Sequence, residues 1–226
     1  MSVPARFLFF LALLPQSVST AATLPLWGSP GVPSSPVLAA PDPRSSRREA
    51  RIAGILLEAW DLARRDGLGA ISLRDLAGAV GLRQPSLYVY FESKLALYDA
   101  MFADGYRQLL AYLDERDYTG TPRAALARFS RDLIIFASDD GVRYQMLFQR
   151  PIPGFEPTTE SFALALEFYE RATTLAAVAG VRDQADIDLF SAVINGLSHQ
   201  QVANDPGGRR WADLAERAVD MLLAPR

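Results

Sequence analysis

Residues 72–94 read SLRDLAGAVGLRQPSLYVYFESK, and the order of these side chains specifies two short helices around a tight corner. Ser72 is placed to cap the first, because a serine oxygen accepts a hydrogen bond from a free amide of the opening turn. Leu73, Leu76, Ala77 and Val80 recur at helical spacing and form one apolar face. Gly81 supplies the backbone freedom a helix end requires, and Leu82 plugs the inside of the corner. A second helix restarts at Gln84 with Pro85 in its first turn, where no hydrogen bond is lost. The expected spans are 72–80 and 84–90. The pattern is a helix-turn-helix.

The chemistry of the second helix points outward. Arg83, Gln84, Ser86, Tyr88 and Tyr90 are polar or amphipathic, while Leu87 and Phe91 sit four apart and face inward. A DNA major groove admits one helix, whose N-terminal residues reach the base edges. Glutamine pairs bidentately with adenine and arginine with guanine, whereas tyrosine hydroxyls more often hold phosphates and fix register. The competing reading is an ordinary helical hairpin with exposed aromatics. Two tyrosines and an arginine, with no acidic residue among them, weigh against it.

The stretch resembles the DNA-binding domain of the TetR (tetracycline repressor-like) family of bacterial transcription regulators. The shared residues are Ile71-Ser72-Leu73-Arg74-Asp75-Leu76-Ala77, Val80-Gly81-Leu82, Pro85-Ser86-Leu87-Tyr88, Tyr90-Phe91 and Ser93-Lys94. The signature spans about residues 48–100. Val89 departs from it, standing where the family more often has a larger or more polar side chain; its own contact is limited to a thymine methyl. The resemblance implies an all-α chain, with a three-helix head at 44–92 and a helical effector-binding and dimerisation domain at 93–226. It implies DNA contacts from Arg74, Arg83, Gln84, Pro85, Ser86, Tyr88, Tyr90 and Lys94. It also implies a cytoplasmic, nucleoid-associated homodimer: a repressor released from a palindromic double-stranded operator by a small molecule.

Charge is distributed to match. The net charge is −3, but residues 44–98 carry nine basic and six acidic groups, and residues 99–226 carry thirteen and nineteen. A cationic head on an acidic body orients the molecule toward phosphate. Lys94 is the only lysine; it opens a helix after Ser93, where free backbone amides also favour a phosphate. Its alternative role is a solvated helix-start residue. An architectural protein binding DNA without sequence preference should be more basic than this. An enzyme would need convergent polar groups, and here the acidic residues scatter over helix faces.

The chain has no cysteine, which leaves no disulfide framework and no thiolate metal site. His199 is the single histidine, and no flanking motif builds a zinc site or a catalytic triad on it. It reads as buried or pocket-lining, and neither a metal nor a cofactor is expected.

Residues 1–43 follow a different regime, with eight of the fifteen prolines and only Arg6 and Asp42 charged. Arg6 followed by FLFFLALL imitates a secretory signal. Three readings compete: a start assigned too far upstream, an unstructured extension, and an export signal. Export would separate a DNA-binding head from DNA, so the signal-like character is taken as spurious. Residues 24–43 are expected to be disordered.

The remainder reads as helices at about 46–66, from 93 through Leu113, 121–138, 141–149, 158–179, 183–204 and 209–223. Pro151-Ile152-Pro153-Gly154 interrupts them. Phe129, Phe136, Met146, Phe148, Phe162 and Tyr169 on the middle helices suit an apolar or aromatic effector, or else a packed core. Ile194, Leu197, Gln201, Leu214 and Ala218 mark apolar sides of the last two helices. These sides pack internally or, as the resemblance implies, against a second subunit.

Overall fold

A computed structural model describes residues 42–224 of the chain, and every regular element among them is helical. α1 (Pro43–Asp66) and a 3₁₀ turn (Leu68–Ala70) lead to α2 (Leu73–Ala79) and α3 (Gln84–Leu87). The body follows as α4 (Lys94–Asp114), α5 (Pro122–Asp139), α6 (Gly141–Phe148), α7 (Thr159–Ala179), α8 (Gln184–Asn204) and α9 (Ala215–Leu223). The signal-like run and most of the segment expected to be disordered lie outside the described residues.

Side-chain caps place most helix starts. Ser72 Oγ accepts from Asp75 N at 3.3 Å, and Ser93 Oγ accepts from Ala96 N at 3.0 Å. Asp140 Oδ1 accepts from both Val142 N and Arg143 N at the start of α6, and Thr158 caps α7. α1 begins a turn earlier than its apolar periodicity indicates, because Asp42 accepts from Arg44 N at 3.0 Å. α3 is shorter than its sequence pattern. Regular α geometry stops at Leu87, and Tyr88–Tyr90 continue as turn, with Tyr90 N donating to Leu87 O at 2.9 Å. Two aromatics around a β-branched residue are weak helix formers. At the corner, Gly81 adopts φ +68° and Leu82 N closes onto Ala77 O at 2.7 Å.

α9 also departs from its expected start at 209. Gln201 Oε1 on α8 accepts from Trp211 N at 2.8 Å and from Ala212 N at 3.1 Å. Those amides are thereby satisfied ahead of the helix, a 3₁₀ turn follows over Ala212–Leu214, and α9 proper starts at Ala215.

One core runs unbroken from the head into the body. Ile55, Trp60, Leu76 and Leu87 belong to the same buried cluster as Leu97, Met101, Tyr106, Leu147 and Phe168. α4 is the shared strut, packing on α1 at one end and on α6 and α7 along its length. A second core joins α5 to α8 and α9 through Leu126, Ile134, Phe190, Ile194 and Val219.

Candidate functional site

The outward face of the helix-turn-helix is built by contrast. Leu87 and Phe91 are buried and anchor α3, which leaves Arg83, Gln84, Pro85, Ser86, Tyr88 and Val89 exposed. Arg74 is exposed on α2 and lies 3.5 Å from Asp75, a solvent-screened pair that leaves the guanidinium available. Tyr90 is half-buried, with the Arg48 guanidinium carbon 6.0 Å from its ring centroid. Arg51 donates to Val80 O at 2.7 Å, tying α1 to the corner. The helix-turn-helix pattern itself carries no signal for Arg48 or Arg51, since both sit on the preceding helix.

Lys94 is not a free surface cation. Its Nζ donates to Gly69 O at 3.0 Å and lies 5.5 Å from the Tyr98 ring centroid. Tyr98 in turn donates to Leu68 O at 2.6 Å, and burial pushes its hydroxyl pKa up to about 12. The two side chains brace the connection between α1 and α2.

Behind the head lies a cavity of about 380 Å³ between α4, α6, the 149–158 loop and the start of α7. Its buried wall is Phe102, Met146, Leu147 and Ile152, with Phe148, Phe155 and Phe162 half-buried. Gln149, Arg150, Glu156 and Thr159 form an exposed polar rim. Of the aromatic and methionine candidates, Met146, Phe148 and Phe162 line this space. Phe129, Phe136 and Tyr169 do not. Phe129 stacks on Phe168 at 6.3 Å, Phe136 packs on Tyr112 at 5.2 Å, and Tyr169 is buried on α7. Ile152 and Phe155 come from the Pro/Gly-interrupted loop, where no periodicity marks an inward side chain.

Two polar links join the cavity's α6 to the head. Trp60 Nε1 on α1 donates to Asp104 Oδ2 at 2.8 Å, and Gln108 Nε2 donates to the same oxygen at 2.7 Å. Gln108 Oε1 then accepts from Arg143 on α6 at 2.7 Å. Separately, Arg64 on α1 pairs with the capping residue Asp140 at 2.7 Å. Arg143 is half-buried, with its Nε lacking a partner, and burial lowers its pKa from the ordinary arginine value. α4 and α6 approach closely because Gly105 has no side chain; a Cβ there would stand 2.9 Å from Leu147 Cδ2.

The C-terminal helices divide the dimer candidates. Ile194 and Ala218 are buried within the chain and Leu197 is half-buried, whereas Leu214 is 36% exposed. Gln201 is 0% exposed and is consumed by the turn into α9, so its place is internal to the chain, not on an inter-subunit face. Leu189 and Met221 are exposed instead, Met221 at 71%. His199 corrects its expectation: it is exposed on α8, because the inward face is set by Phe190, Ile194, Ser198 and Gln201, and the next residue turns away by about 100°.

Residues 55–101 match the family model described as bacterial regulatory proteins, tetR family. The chain carries a TetR-type helix-turn-helix head. No match was found among curated proteins. Among solved structures, the regulatory protein SCO4313 is 24% identical with a TM-score of 0.64, covering 81% of this chain and 100% of its own. The TetR-family regulator PfmR from Thermus thermophilus is 23% identical with a TM-score of 0.55, covering 75% and 96%. FadR from Bacillus subtilis, solved in complex with stearoyl-CoA, is 14% identical with a TM-score of 0.57, covering 76% and 97%. The likeness to these structures establishes that the TetR-type head and the helical body together form the fold of such regulators. Among the described residues, no helix is long and apolar enough to cross a membrane, and no cluster of His, Asp and Glu could hold a metal ion.

Proposed function

We propose that this TetR-type chain is a dimeric, sequence-specific repressor that leaves a palindromic operator when a small apolar or aromatic molecule enters the α4–α6–α7 cavity. It acts in the cytoplasm, on DNA. The head of residues 44–92 reads the operator, and residues 93–226 sense the ligand and pair the subunits. The observation that carries the reading is that α4 belongs to both sites: its first turns pack under the helix-turn-helix, and Phe102 walls the cavity.

Gln84 and Arg83 supply base recognition at the start of α3. Ser86, Tyr88, Tyr90 and Lys94 hold phosphates, Pro85 sets the first turn of α3, and Arg74 approaches from α2. A cavity of 380 Å³ falls at the small end of ligand pockets. It holds an apolar body, with any polar end at the Gln149–Thr159 rim; a ligand as long as the stearoyl-CoA of FadR would have to extend beyond it. A ligand between α4 and α6 strains the Gly105–Leu147 contact and the Asp104–Gln108–Arg143 chain. Because Trp60 and Arg64 tie these groups to α1, the strain reorients the head. Release requires the ligand to favour the DNA-free arrangement, and DNA then weakens ligand binding by the same factor. Leu189 on α8, Leu214 at the end of the 3₁₀ turn and Met221 on α9 offer an exposed apolar surface for the second subunit.

Selection of bound duplexes from a randomised pool tests the reading. It predicts an inverted repeat with half-sites about one helical turn, ~34 Å, apart or a small variation on it. A pool that emerges without a common sequence defeats it.

A further inference from the structure

We infer that the N-terminal turns of α1 form a second DNA-contacting element, which grips the phosphate backbone flanking the groove read by α3. The inference rests on the DNA-binding reading above. Arg44, Arg47, Arg48 and Arg51 stand at i, i+3, i+4 and i+7, the spacing that lines one face of a helix. The lower part of this stripe is fixed against the recognition unit, Arg51 by its bond to Val80 O and Arg48 by its position over Tyr90. The upper part, Arg44 and Arg47, continues the same face outward, and Arg44, Arg47 and Arg48 are all exposed. From Arg44 to Arg51 the stripe runs about 10 Å along the helix axis, on the scale of three phosphate steps of one DNA strand.

Arg51 and Arg48 have contacts within the head, but the charges of Arg44 and Arg47 serve no contact of the described residues. Cations at a helix N-terminus oppose the helix dipole, and the first turn of α1 contains no acidic residue to offset them. Asp42 is occupied as the cap, and Glu49 accepts from Ser45 Oγ at 2.7 Å. No carboxylate of the described residues pairs with Arg44, Arg47 or Arg48. By contrast Arg64, toward the other end of the same helix, is paired to Asp61 and Asp140. Guanidinium groups without a carboxylate partner that work against their own helix, on a face that meets the helix-turn-helix at Val80 and Tyr90, complement a polyanion lying across both elements.

The test compares the full chain with Arg44→Ala/Arg47→Ala and Arg44→Lys/Arg47→Lys. Affinity is measured against salt on the selected operator and on a scrambled duplex of equal length. Each phosphate contact contributes about 0.9 to the slope of log K on log salt, so the alanine pair should flatten it by roughly two units per bound protomer. The flattening should be equal on both duplexes. The lysine pair should keep the wild-type slope, and the thermal midpoint of the alanine pair should not fall. An unchanged slope in the alanine pair overturns the inference, as does a loss confined to one DNA sequence. Operator preference of the wild-type protein tests the function proposed above, and that preference stands or falls independently of the slope difference.

Discussion

Gln84 and Lys94 lie about ten residues apart and are built for different tasks. Gln84 is exposed in the first turn of α3 with only its neighbours to constrain it. Gln84→Ala is expected to cost about 1–3 kcal/mol on the preferred operator and to relax a single base position. Equal losses across all operator variants, measured by anisotropy, would remove it from base reading. Lys94 braces Gly69 O with the same amine to which the proposed function assigns a phosphate. Lys94→Ala should therefore flatten the salt slope by about one unit and also lower the thermal midpoint slightly, through a lost charge-assisted hydrogen bond. Tyr88→Phe should weaken operator and scrambled DNA alike, and a sequence-dependent effect would assign Tyr88 to a base. The capping serines and the Gly81 corner were legible from residue type, because those interactions are local. The Lys94 brace was not, because its partner is a backbone carbonyl on another element.

α6 is where the cavity and the head meet, and its neighbours are the groups through which the proposed coupling would run. Asp104→Ala leaves Trp60 Nε1 and Gln108 Nε2 without their acceptor. Buried donors left unmet cost about 1–3 kcal/mol each, so a lower thermal midpoint is expected. The informative result is a variant that still binds effector and operator separately but no longer releases DNA; full release with wild-type sensitivity would sever this link from induction. Gly105→Val should force α4 and α6 apart or push Leu147 into the cavity, at a cost of about 1–3 kcal/mol. Calorimetry should find effector affinity reduced, and unchanged affinity would separate the cavity from this contact. Helical periodicity located the α-helices of the body, apart from the start of α9, yet it could not say which aromatics face the cavity. Phe129 and Phe136 stand on an inward helix face as Met146 does, but they are covered by α7 and α4, and that covering depends on how the helices cross.

At the scale of the molecule, Leu189, Leu214 and Met221 stay largely or partly exposed among the described residues. Leu214→Glu/Met221→Glu should yield monomers in sedimentation with poor operator binding, since both heads must fit successive major grooves together. A dimer with normal DNA binding would assign the subunit interface to another face. The all-helical architecture and the helix-turn-helix head were legible because each rests on short-range patterns. The split of the last two helices between internal packing and exposed surface was not, since one apolar stripe serves either purpose until α5 is seen to occupy part of it. The central claim is that this chain chooses its DNA sequence, and it is tested most directly by anisotropy titration of the selected operator against a scrambled duplex at one fixed salt concentration. The account predicts binding to the operator at least about 10³-fold tighter than to the scrambled duplex; equal affinity for the two would contradict it.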